Sequence, residues 1–416
     1  MLDESLKERM DAYRVLLLWQ KEGAFIKESG LSPFAMELAL GVCRRHLYLQ
    51  YFVKSLVKKK PSPEVCTVLE LGIFQMFFME VPDHAAVSTS VELTKAANLG
   101  EGSARLVNAV LHSARRSGLP ALPQQRVRRV CIENSVPEWL VRRWFDIYGG
   151  DRAEALAKAT LERPVEWIRV NLQKTSAPVL AQKLGLTGAS ILYDRYIQVP
   201  EDAKLKAILE SDAFANGEFS LQNPSAYEVV KLLDLKHGQK VWDACAAPGG
   251  KSALMSEMEP ALDILASDVS EFRVEKMHDL VDRLGLKNVR LECIDVLACN
   301  GVVDGKFDRV LLDVPCSNMG VMARRPESKY RITPESVKEL AELQYGILES
   351  ASATLAQDGV LVYATCSPDP VETTQVVNRF VKAHPEFVKR GEPVFPGAED
   401  ARFDGFFAQA LERKKV

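Results

Sequence analysis

The sequence predicts three domains: an all-α helical bundle over residues 1–126, a small α/β connector over 127–219, and an α/β domain with a doubly wound parallel sheet over 220–416. The bundle is predicted from apolar residues at three- and four-residue spacing. The connector mixes helical patterns with short strand-like runs, and in the last domain strands alternate with helices. A chain of 416 residues with 47% hydrophobic residues can bury several packed cores.

The helical pattern of the bundle is interrupted where turn residues cluster, as at Pro61-Ser62-Pro63 and Val81-Pro82-Asp83. The stretch from Pro120 to Gln125 is then typical of a linker. Between these breaks the predicted helical segments are 12–19, 34–42, 49–57, 65–78 and 86–97.

The formal net charge of −3 hides an uneven distribution. Residues 1–150 carry 20 Lys and Arg against 16 Asp and Glu, which leaves 33 against 40 for the rest of the chain. Basic clusters are usually solvated helix ends, but together they would attract nucleic-acid phosphates. The clusters are Lys58–Lys60, Arg115-Arg116, Arg126 with Arg128 and Arg129, and Arg142-Arg143.

No apolar run approaches the ~20 residues that a membrane-spanning helix requires. The start of the chain, Met1 to Lys7, is charged and lacks a signal-peptide core, so we expect a cytoplasmic protein. The eight cysteines include no C-x-x-C pair, and the chain has six histidines. Neither a disulfide framework nor a metal site is expected.

Strands and helices are expected in alternating order after residue 220. The strand candidates are 240–245, 263–268, 289–295, 307–313 and 359–365. The helix candidates are 226–235, 252–258, 273–284, 334–355 and 372–383. In such a sheet the ligand-binding crevice lies outside the carboxyl ends of the strands.

The stretch from Asp243 to Ser252, D-A-C-A-A-P-G-G-K-S, joins the first of these strands to a helix. A strand, a glycine turn and a helix start gather free backbone N–H groups for a polar ligand. A phosphate-binding G-x-x-x-x-G-K-[ST] loop would require glycine at position 245, which is Cys245. A G-x-G-x-x-G dinucleotide loop also fails, because the only glycines here, Gly249 and Gly250, are adjacent.

An aspartate ends, or lies near the end of, four of the five predicted strands: Asp243, Asp268, Asp295 and Asp313. Any single one of them fits a helix cap equally well. An acid about 20 residues after a glycine turn is positioned to accept hydrogen bonds from ribose hydroxyls, and Asp268 fits that position. Asp295 then suits a nucleobase amino group, so the pattern predicts a nucleoside-containing cofactor without a pyrophosphate.

Two cysteines follow the fourth and fifth predicted strands, in Asp313-Val314-Pro315-Cys316 and Thr365-Cys366-Ser367. If those strands are sheet neighbours, ~4.8 Å apart, both thiols lie at the same rim of one cleft. Either cysteine alone fits a small buried core residue. Two of them at matching strand ends favour a catalytic role.

Three motifs carry a resemblance to a known family: D-A-C-A-A-P-G-G-K at 243–251, L-L-D-x-P-C-S at 311–317 and Y-A-T-C-S at 363–367. With them the chain resembles the RNA (cytosine-5)-methyltransferases that use S-adenosylmethionine, specifically the bacterial RsmB (Sun/Fmu) family that modifies 16S ribosomal RNA. Asp404-Gly405-Phe406-Phe407 is similar to the closing pattern of that family. The matches to its NusB-like helical domain are Phe34–Leu38 with Gly41, Leu71-Gly72 with Gln75, His84–Val87 and Val107–Leu111.

The resemblance implies a NusB-like RNA-binding domain, a Rossmann-like methyltransferase domain, S-adenosylmethionine as cofactor and ribosomal RNA as partner. The target cytosine is expected to be single-stranded or flipped out, because a buried thiolate cannot reach a base inside a duplex. We expect a monomer. The implied cofactor-binding residues are Cys245, Ala246, Ala247, Pro248, Gly249, Gly250, Lys251, Asp268, Arg273, Asp295 and Asp313.

The family's reaction needs a nucleophile, because cytosine C5 is too weak to attack a methyl sulfonium until a thiolate has added to C6. The resemblance implies that Cys366 is this nucleophile and that Cys316 assists release. It also implies that Asp313 hydrogen-bonds the N3/N4 edge of the base. Lys251 would lie near the base and the thiolate, where a cation lowers the pKa of a thiol.

Two stretches depart from the family's usual pattern. After the Y-A-T-C-S motif the usual Glu-Glu-Asn is replaced by Val371-Glu372-Thr373, which keeps one acid and loses the Asn. After the L-L-D-x-P-C-S motif the usual R-R-x-P-D-I-K-W is replaced by R-R-P-E-S-K-Y at 324–330, which stays basic. A solvated loop is the alternative there to RNA contact, for which the candidates are Arg324, Arg325 and Lys329.

Three alternatives to this function are a different RNA substrate, a different methylated atom and a protein without catalytic activity. Transfer RNA as the methylated substrate is not distinguished by the catalytic domain. An exocyclic-amine methyltransferase needs an Asn/Asp-Pro-Pro-aromatic clamp, where this chain has Pro315-Cys316. An RNA-binding, antitermination-like scaffold with an inert methyltransferase fold has no physical need for two thiols facing one cleft.

Overall fold

The computed structural model describes residues 3–26, 29–79, 81–299, 306–395, 400 and 402–414. Its chain forms two compact units. The first comprises Met1–Arg163 and Met322–Arg331, and the second comprises Pro164–Val321 and Ile332–Val416.

The first unit is helical, which confirms the predicted all-α fold of the N-terminal part. Ser32 and Ser62 cap two of its helices, each followed by a proline at the first helical position. Gly41 lets its helix approach Phe74, since a Cβ there would lie 2.1 Å from the ring. In chain order the helices are α1 (Glu4–Glu22), α2 (Pro33–Arg44), α3 (His46–Leu56), α4 (Pro63–Phe78), α5 (Asp83–Ala96), α6 (Glu101–Ser117), α7 (Arg126–Glu133), α8 (Glu138–Tyr148), α9 (Gly150–Ala159) and α16 (Ser328–Arg331).

The second unit begins with a small α/β part, which confirms the predicted connector fold. Its antiparallel sheet has the strand order β2-β3-β1-β4. The connector boundaries at 127 and 219 stay predictions. The elements are β1 (Trp167–Val170), α10 (Ala177–Lys183), β2 (Ile191–Leu192), β3 (Tyr196–Gln198), α11 (Leu205–Leu209), α12 (Asp212–Ala215) and β4 (Phe219–Leu221).

A seven-stranded sheet forms the rest of the second unit, in the order β10-β11-β9-β8-β5-β6-β7. Strands β5 to β9 pair in parallel, as predicted, but β11 pairs antiparallel with both β9 and β10. The sheet is therefore mixed, because β10 and β11, which were not among the predicted strands, add an antiparallel edge to it. The strands are β5 (Lys240–Asp243), β6 (Asp263–Asp268), β7 (Val289–Cys293), β8 (Phe307–Asp313), β9 (Leu355–Thr365), β10 (Phe387–Val394) and β11 (Phe407–Arg413).

Helices cover both faces of this sheet. Successive strand residues point to opposite sides, so each strand contributes side chains to both cores. Trp242 packs in the core on one face, and its neighbour Val241 packs in the core on the other. Strand β5 lies between β6 and β8, so the chain order reverses there and opens a crevice at its carboxyl end. The helices are α13 (Ser225–Lys231), α14 (Gly250–Met258), α15 (Glu271–Leu284), α17 (Pro334–Ser352) and α18 (Thr374–Ala383).

Across the residues that the structure describes, no helix combines the length and the apolar character that crossing a membrane requires.

Candidate active site

Asp243 ends β5 and is fully buried. Its Oδ2 accepts a hydrogen bond of 2.6 Å from Ser252 Oγ, whereas its Oδ1 has no partner among the described residues. Burial raises the pKa of Asp243 to about 7, and the Ser252 hydrogen bond offsets part of this shift. A buried acceptor without a partner is unusual and marks a position where a ligand can bind.

The predicted glycine turn connects β5 to α14. Gly249 has a φ of +93°, a conformation that side chains other than glycine's rarely adopt, and its N–H donates to Ala246 O at 2.7 Å. Helix α14 begins at Gly250, so the N–H groups of its first turn have no partners within the helix. Burial keeps the pKa of the nearby Cys245 thiol well above its ordinary value, so that thiol is neutral.

Arg169 of β1 supports this turn and was not predicted as a site residue. It is fully buried and forms a two-pronged ion pair with Glu257, at 2.7 and 3.0 Å. Its Nη1 also donates to Gly250 O at 2.7 Å. Breaking such a buried pair typically costs about 3–5 kcal/mol. The signal in the sequence was an arginine in the strand-like run Trp167–Val170, since a charge buried in a strand requires a partner.

The predicted acids of the cofactor side end neighbouring strands. Asp268 ends β6, is 5% exposed, and accepts from Ser270 N–H at 3.0 Å. Arg273 Nη1 lies 4.0 Å from its Oδ2. Asp295 follows β7, is exposed, and accepts from Leu297 N–H at 3.0 Å. Both acids therefore also cap the backbone that follows them.

Lys251 and Asp313 form an ion pair at the same end of the sheet. Lys251 Nζ lies 2.5 Å from Asp313 Oδ2, and both side chains are partly exposed. Burial alone lowers the pKa of Lys251, but the charge of Asp313 and the hydrogen bond to it more than offset that effect, so the pKa is raised. Lys251 is therefore a charged ammonium at neutral pH.

Cys316 and Cys366 are brought together as the sequence suggested. Strands β8 and β9 are parallel neighbours, with Asp313 opposite Ala364, and Cys316 Sγ lies 2.7 Å from Cys366 Sγ. Asn318 Oδ1 lies 3.2 Å from Cys366 Sγ. The hydrogen bond with Cys316, burial and the charge of Asp313 raise the pKa of Cys366, while Lys251 lowers it.

The closing pattern near the C-terminus packs against the loop that follows Cys316. Gly320 N–H donates to Cys366 O at 2.8 Å, and Gly405 N–H donates to Gly320 O at 2.9 Å. A Cβ at Gly320 would lie 2.0 Å from Gly405 O and 2.9 Å from Cys366 O. Only glycine fits at position 320 without moving the backbone on which Cys366 sits.

The prediction that Lys329 contacts RNA is wrong. Lys329 is fully buried in the first unit, where its Nζ donates to Arg44 O at 3.0 Å and lies 3.4 Å from Thr160 Oγ1. Burial lowers its pKa to about 7. Arg325 is exposed and Arg324 is half-buried, so these two arginines stay candidates.

The basic clusters of the first unit are partly neutralised. Arg126 pairs with Asp151 and Glu154 at 2.7 and 2.6 Å. Arg142 pairs with Glu138 at 2.5 Å. Lys58 to Lys60 are exposed, so this run stays a candidate for phosphate attraction.

Three family models match the chain in order. The NusB family matches residues 7–116, a ferredoxin-like domain of RsmF/B-like methyltransferases matches 136–198, and the 16S rRNA methyltransferase RsmB/F family matches 230–403. The matches agree with the helical, small α/β and Rossmann-like parts of the structure.

Relatives and solved structures cover most of the chain. The "Probable ribosomal RNA small subunit methyltransferase B" of Bacillus subtilis is 33% identical, over 98% of this chain and 96% of the relative. Ribosomal RNA small subunit methyltransferase B of Citrobacter koseri is 32% identical, over 91% and 90%. The crystal structure of PH0851 has a TM-score of 0.79 at 22% identity, over 99% of this chain and 100% of that one.

A methyltransferase homolog protein from Pyrococcus horikoshii has a TM-score of 0.60 at 25% identity, over 70% of this chain and 100% of that one. These two solved structures share the fold. Identity above 30% across at least 90% of both chains shows more, namely that this protein belongs to the RsmB/F family of 16S rRNA methyltransferases.

Proposed function

We propose that the protein methylates C5 of one cytosine in 16S ribosomal RNA, through a covalent bond between Cys366 and C6 of the base. The observation that carries this proposal is the 2.7 Å approach of Cys316 Sγ to Cys366 Sγ at the ends of two paired strands. Close packing alone does not require a second thiol there. In the proposed reaction a covalent bond to one base is first formed and later broken. One thiol forms that bond, and the other assists in breaking it.

The residues around the glycine turn fit S-adenosylmethionine. When bound, this cofactor supplies an electrophilic methyl group on a sulfonium. Asp243 Oδ1, buried and without a partner among the described residues, would accept a hydrogen bond from the amino group of its methionine part. Asp268 would accept from the ribose hydroxyls and Asp295 from the adenine amino group. The first-turn N–H groups of α14 would face the carboxylate.

Lys251 and Asp313 would support the addition step. As the Cys366 thiolate bonds to C6, negative charge moves onto the ring toward N3. Asp313 would hold the N3/N4 edge of the cytosine. The Lys251 ammonium, whose pKa is raised by Asp313, would stay charged and offset the negative charge of both the thiolate and the ring.

Release requires two bonds to break after methylation. The C5 proton leaves to a base, and the C6–S bond then breaks and returns its electron pair to Cys366. The contact between the two sulfurs supports a role for Cys316 in this step. The target cytosine must be flipped out or single-stranded to meet the half-buried thiol of Cys366. The ribosomal RNA substrate implies a cytoplasmic enzyme.

Bisulfite sequencing of total RNA tests the proposal. A strain that lacks the protein should lose one bisulfite-resistant cytosine in 16S rRNA. The wild-type gene should restore it, whereas a Cys366→Ala gene should not. Loss of a transfer RNA cytosine instead would overturn the proposed substrate, and no loss at all would overturn the cytosine-5 chemistry.

A further inference from the structure

A fully buried carboxylate lies beside the two cysteine-bearing loops. Glu372 Oε1 accepts from Ser317 N–H at 2.9 Å and from Gln344 Nε2 at 3.1 Å. Glu372 Oε2 accepts from Ser317 Oγ at 2.5 Å and from Ser367 Oγ at 2.6 Å. Four donors therefore fill the acceptor positions of a single carboxylate.

Three of the four donors belong to the two cysteine-bearing loops, and the fourth, Gln344, belongs to α17. Ser317 directly follows Cys316, and Ser367 directly follows Cys366. The residue next to each proposed catalytic thiol is thus hydrogen-bonded to the same group. Both serines are buried, at 5% and 0% exposure, so water does not compete for these bonds. Hydrogen bonds to a carboxylate in such surroundings are strong.

Other buried side chains fix the carboxylate in turn. Tyr363 OH donates to Glu372 O at 2.6 Å, and Gln344 Oε1 lies 3.1 Å from the same hydroxyl oxygen. Gln344 Nε2 also donates to Pro315 O at 2.9 Å, just before Cys316. Tyr363 and Gln344 are both fully buried. The network thus ties strand β9, helix α17 and both cysteine loops to one point.

We infer that Glu372 is a positioning residue that fixes the position of Cys316 relative to Cys366. Within the described structure it makes no hydrogen bond to either sulfur; it bonds to the backbone or side chain of the residue after each cysteine. The effect of Glu372 on catalysis rests on the proposed function. The effect of Glu372 on the geometry of the two thiols does not depend on that function.

The rates of methyl transfer to 16S rRNA by the Glu372→Ala and Glu372→Gln variants distinguish two possible roles of Glu372. Glu372→Ala removes both its hydrogen bonds and its charge, whereas Glu372→Gln removes only the charge. Glu372→Ala should lower kcat by about 100-fold, since an error of ~1 Å in placing a reacting group costs about that much. The KM for RNA should change little. In Glu372→Gln, Oε1 can still accept from Ser317 N–H and Gln344, while the new amide can donate to the serine hydroxyls. This variant should therefore retain most of the wild-type kcat.

The exposed Glu339 of α17 provides the control, and Glu339→Ala should match the wild type. Equal losses in Glu372→Gln and Glu372→Ala would overturn the inference, because charge rather than position would then matter. An unchanged kcat in Glu372→Ala would overturn it as well. If Glu372→Ala does not fold, Ser367→Ala can replace it, since this change removes the hydrogen bond from Ser367 Oγ to Glu372. Ser367→Ala should lower kcat by roughly tenfold, on the same argument. An unchanged kcat in that variant would overturn the inference.

A second measurement needs no methyl transfer. Diamide takes two electrons and two protons from a pair of thiols, which join as a disulfide while its N=N bond is reduced to a hydrazine. The rate of Cys316–Cys366 disulfide formation, followed by peptide mass spectrometry, should fall at least tenfold in Glu372→Ala. An unchanged rate would overturn the inference even if methylation is impaired. Failure of the wild type to methylate cytosine would instead overturn the proposed function and leave this measurement valid.

Discussion

Cys316 Sγ lies 2.7 Å from Cys366 Sγ, although 50 positions separate the two residues in the chain. Parallel pairing of β8 with β9 produces this approach. It also has an electrostatic consequence. The contact with Cys316 and burial together raise the pKa of Cys366, so a neighbouring cation is needed to favour the thiolate.

Lys251→Met removes that cation. The pKa of Cys366 should rise further, because Lys251 is the group that lowers it. Only the thiolate reacts with iodoacetamide, and its fraction grows with pH. The pH profile of Cys366 alkylation, measured by mass spectrometry, should therefore shift to higher pH, and methyl transfer at neutral pH should fall at least about tenfold.

Lys338 is an exposed lysine of α17 and offers the matched control. Lys338→Met should leave the alkylation profile in place. A Lys251→Met profile that does not move, or that moves to lower pH, would contradict the role assigned to the ammonium.

Gly320→Ala tests the close approach of the closing pattern. The new Cβ would lie 2.0 Å from Gly405 O, so the backbone beside Cys366 must shift. We expect a loss of about 1–3 kcal/mol in the free energy of unfolding, typical of overpacking, together with reduced methyl transfer. Urea denaturation and a methylation assay measure the two effects.

Gly102→Ala is the counterpart, since no atom lies within 4 Å of a Cβ built there in helix α6. That change should be neutral or stabilise by up to about 1 kcal/mol, because alanine favours helices. Similar effects of the two substitutions would show that the approach at Gly320 has no energetic importance.

Lys329 makes the stability of the protein depend on pH. Its pKa is about 7 in the folded protein and ~10.4 in an unfolded chain. Between these values the unfolded state binds a proton that the folded state does not, so stability rises with pH. The wild type should gain on the order of 4 kcal/mol relative to Lys329→Met between about pH 7 and pH 10.

Urea denaturation of both proteins at several pH values measures this difference. The exposed Lys54 serves as control, and Lys54→Met should track the wild type at every pH. A constant difference between the wild type and Lys329→Met would mean that the buried amine keeps the same charge in the folded and unfolded states.

The predictable part of the site follows from local rules. The glycine turn, the strand-end aspartates and the two cysteines each lie in a short motif, and parallel strands bring such motifs to one edge. The pairing of β8 with β9 was the single long-range assumption, and it is confirmed. The sequence also predicted the helical unit, because its apolar spacing is regular.

The parts that were missed depend on contacts between distant segments. Strand β11 contains Ala408, Gln409 and Ala410, which favour helices, and only pairing with β9 and β10 makes it a strand. Lys329 lies in a basic stretch typical of an exposed loop, yet its Nζ donates to the carbonyl groups of Arg44, at the end of α2, and Asn134, just after α7. Arg169 and Glu372 became recognisable only through their buried partners.

In the proposed mechanism Cys366 bonds covalently to the base, and Cys316 helps to break that bond. Cys316→Ala should therefore accumulate a protein–RNA adduct when incubated with 16S rRNA and S-adenosylmethionine. The adduct should survive a denaturing gel, and mass spectrometry should locate a 5-methyl-5,6-dihydrocytosine bonded through C6 to the sulfur of Cys366. A Cys316→Ala protein that binds RNA but forms no such adduct, or one attached at another residue, would contradict the account.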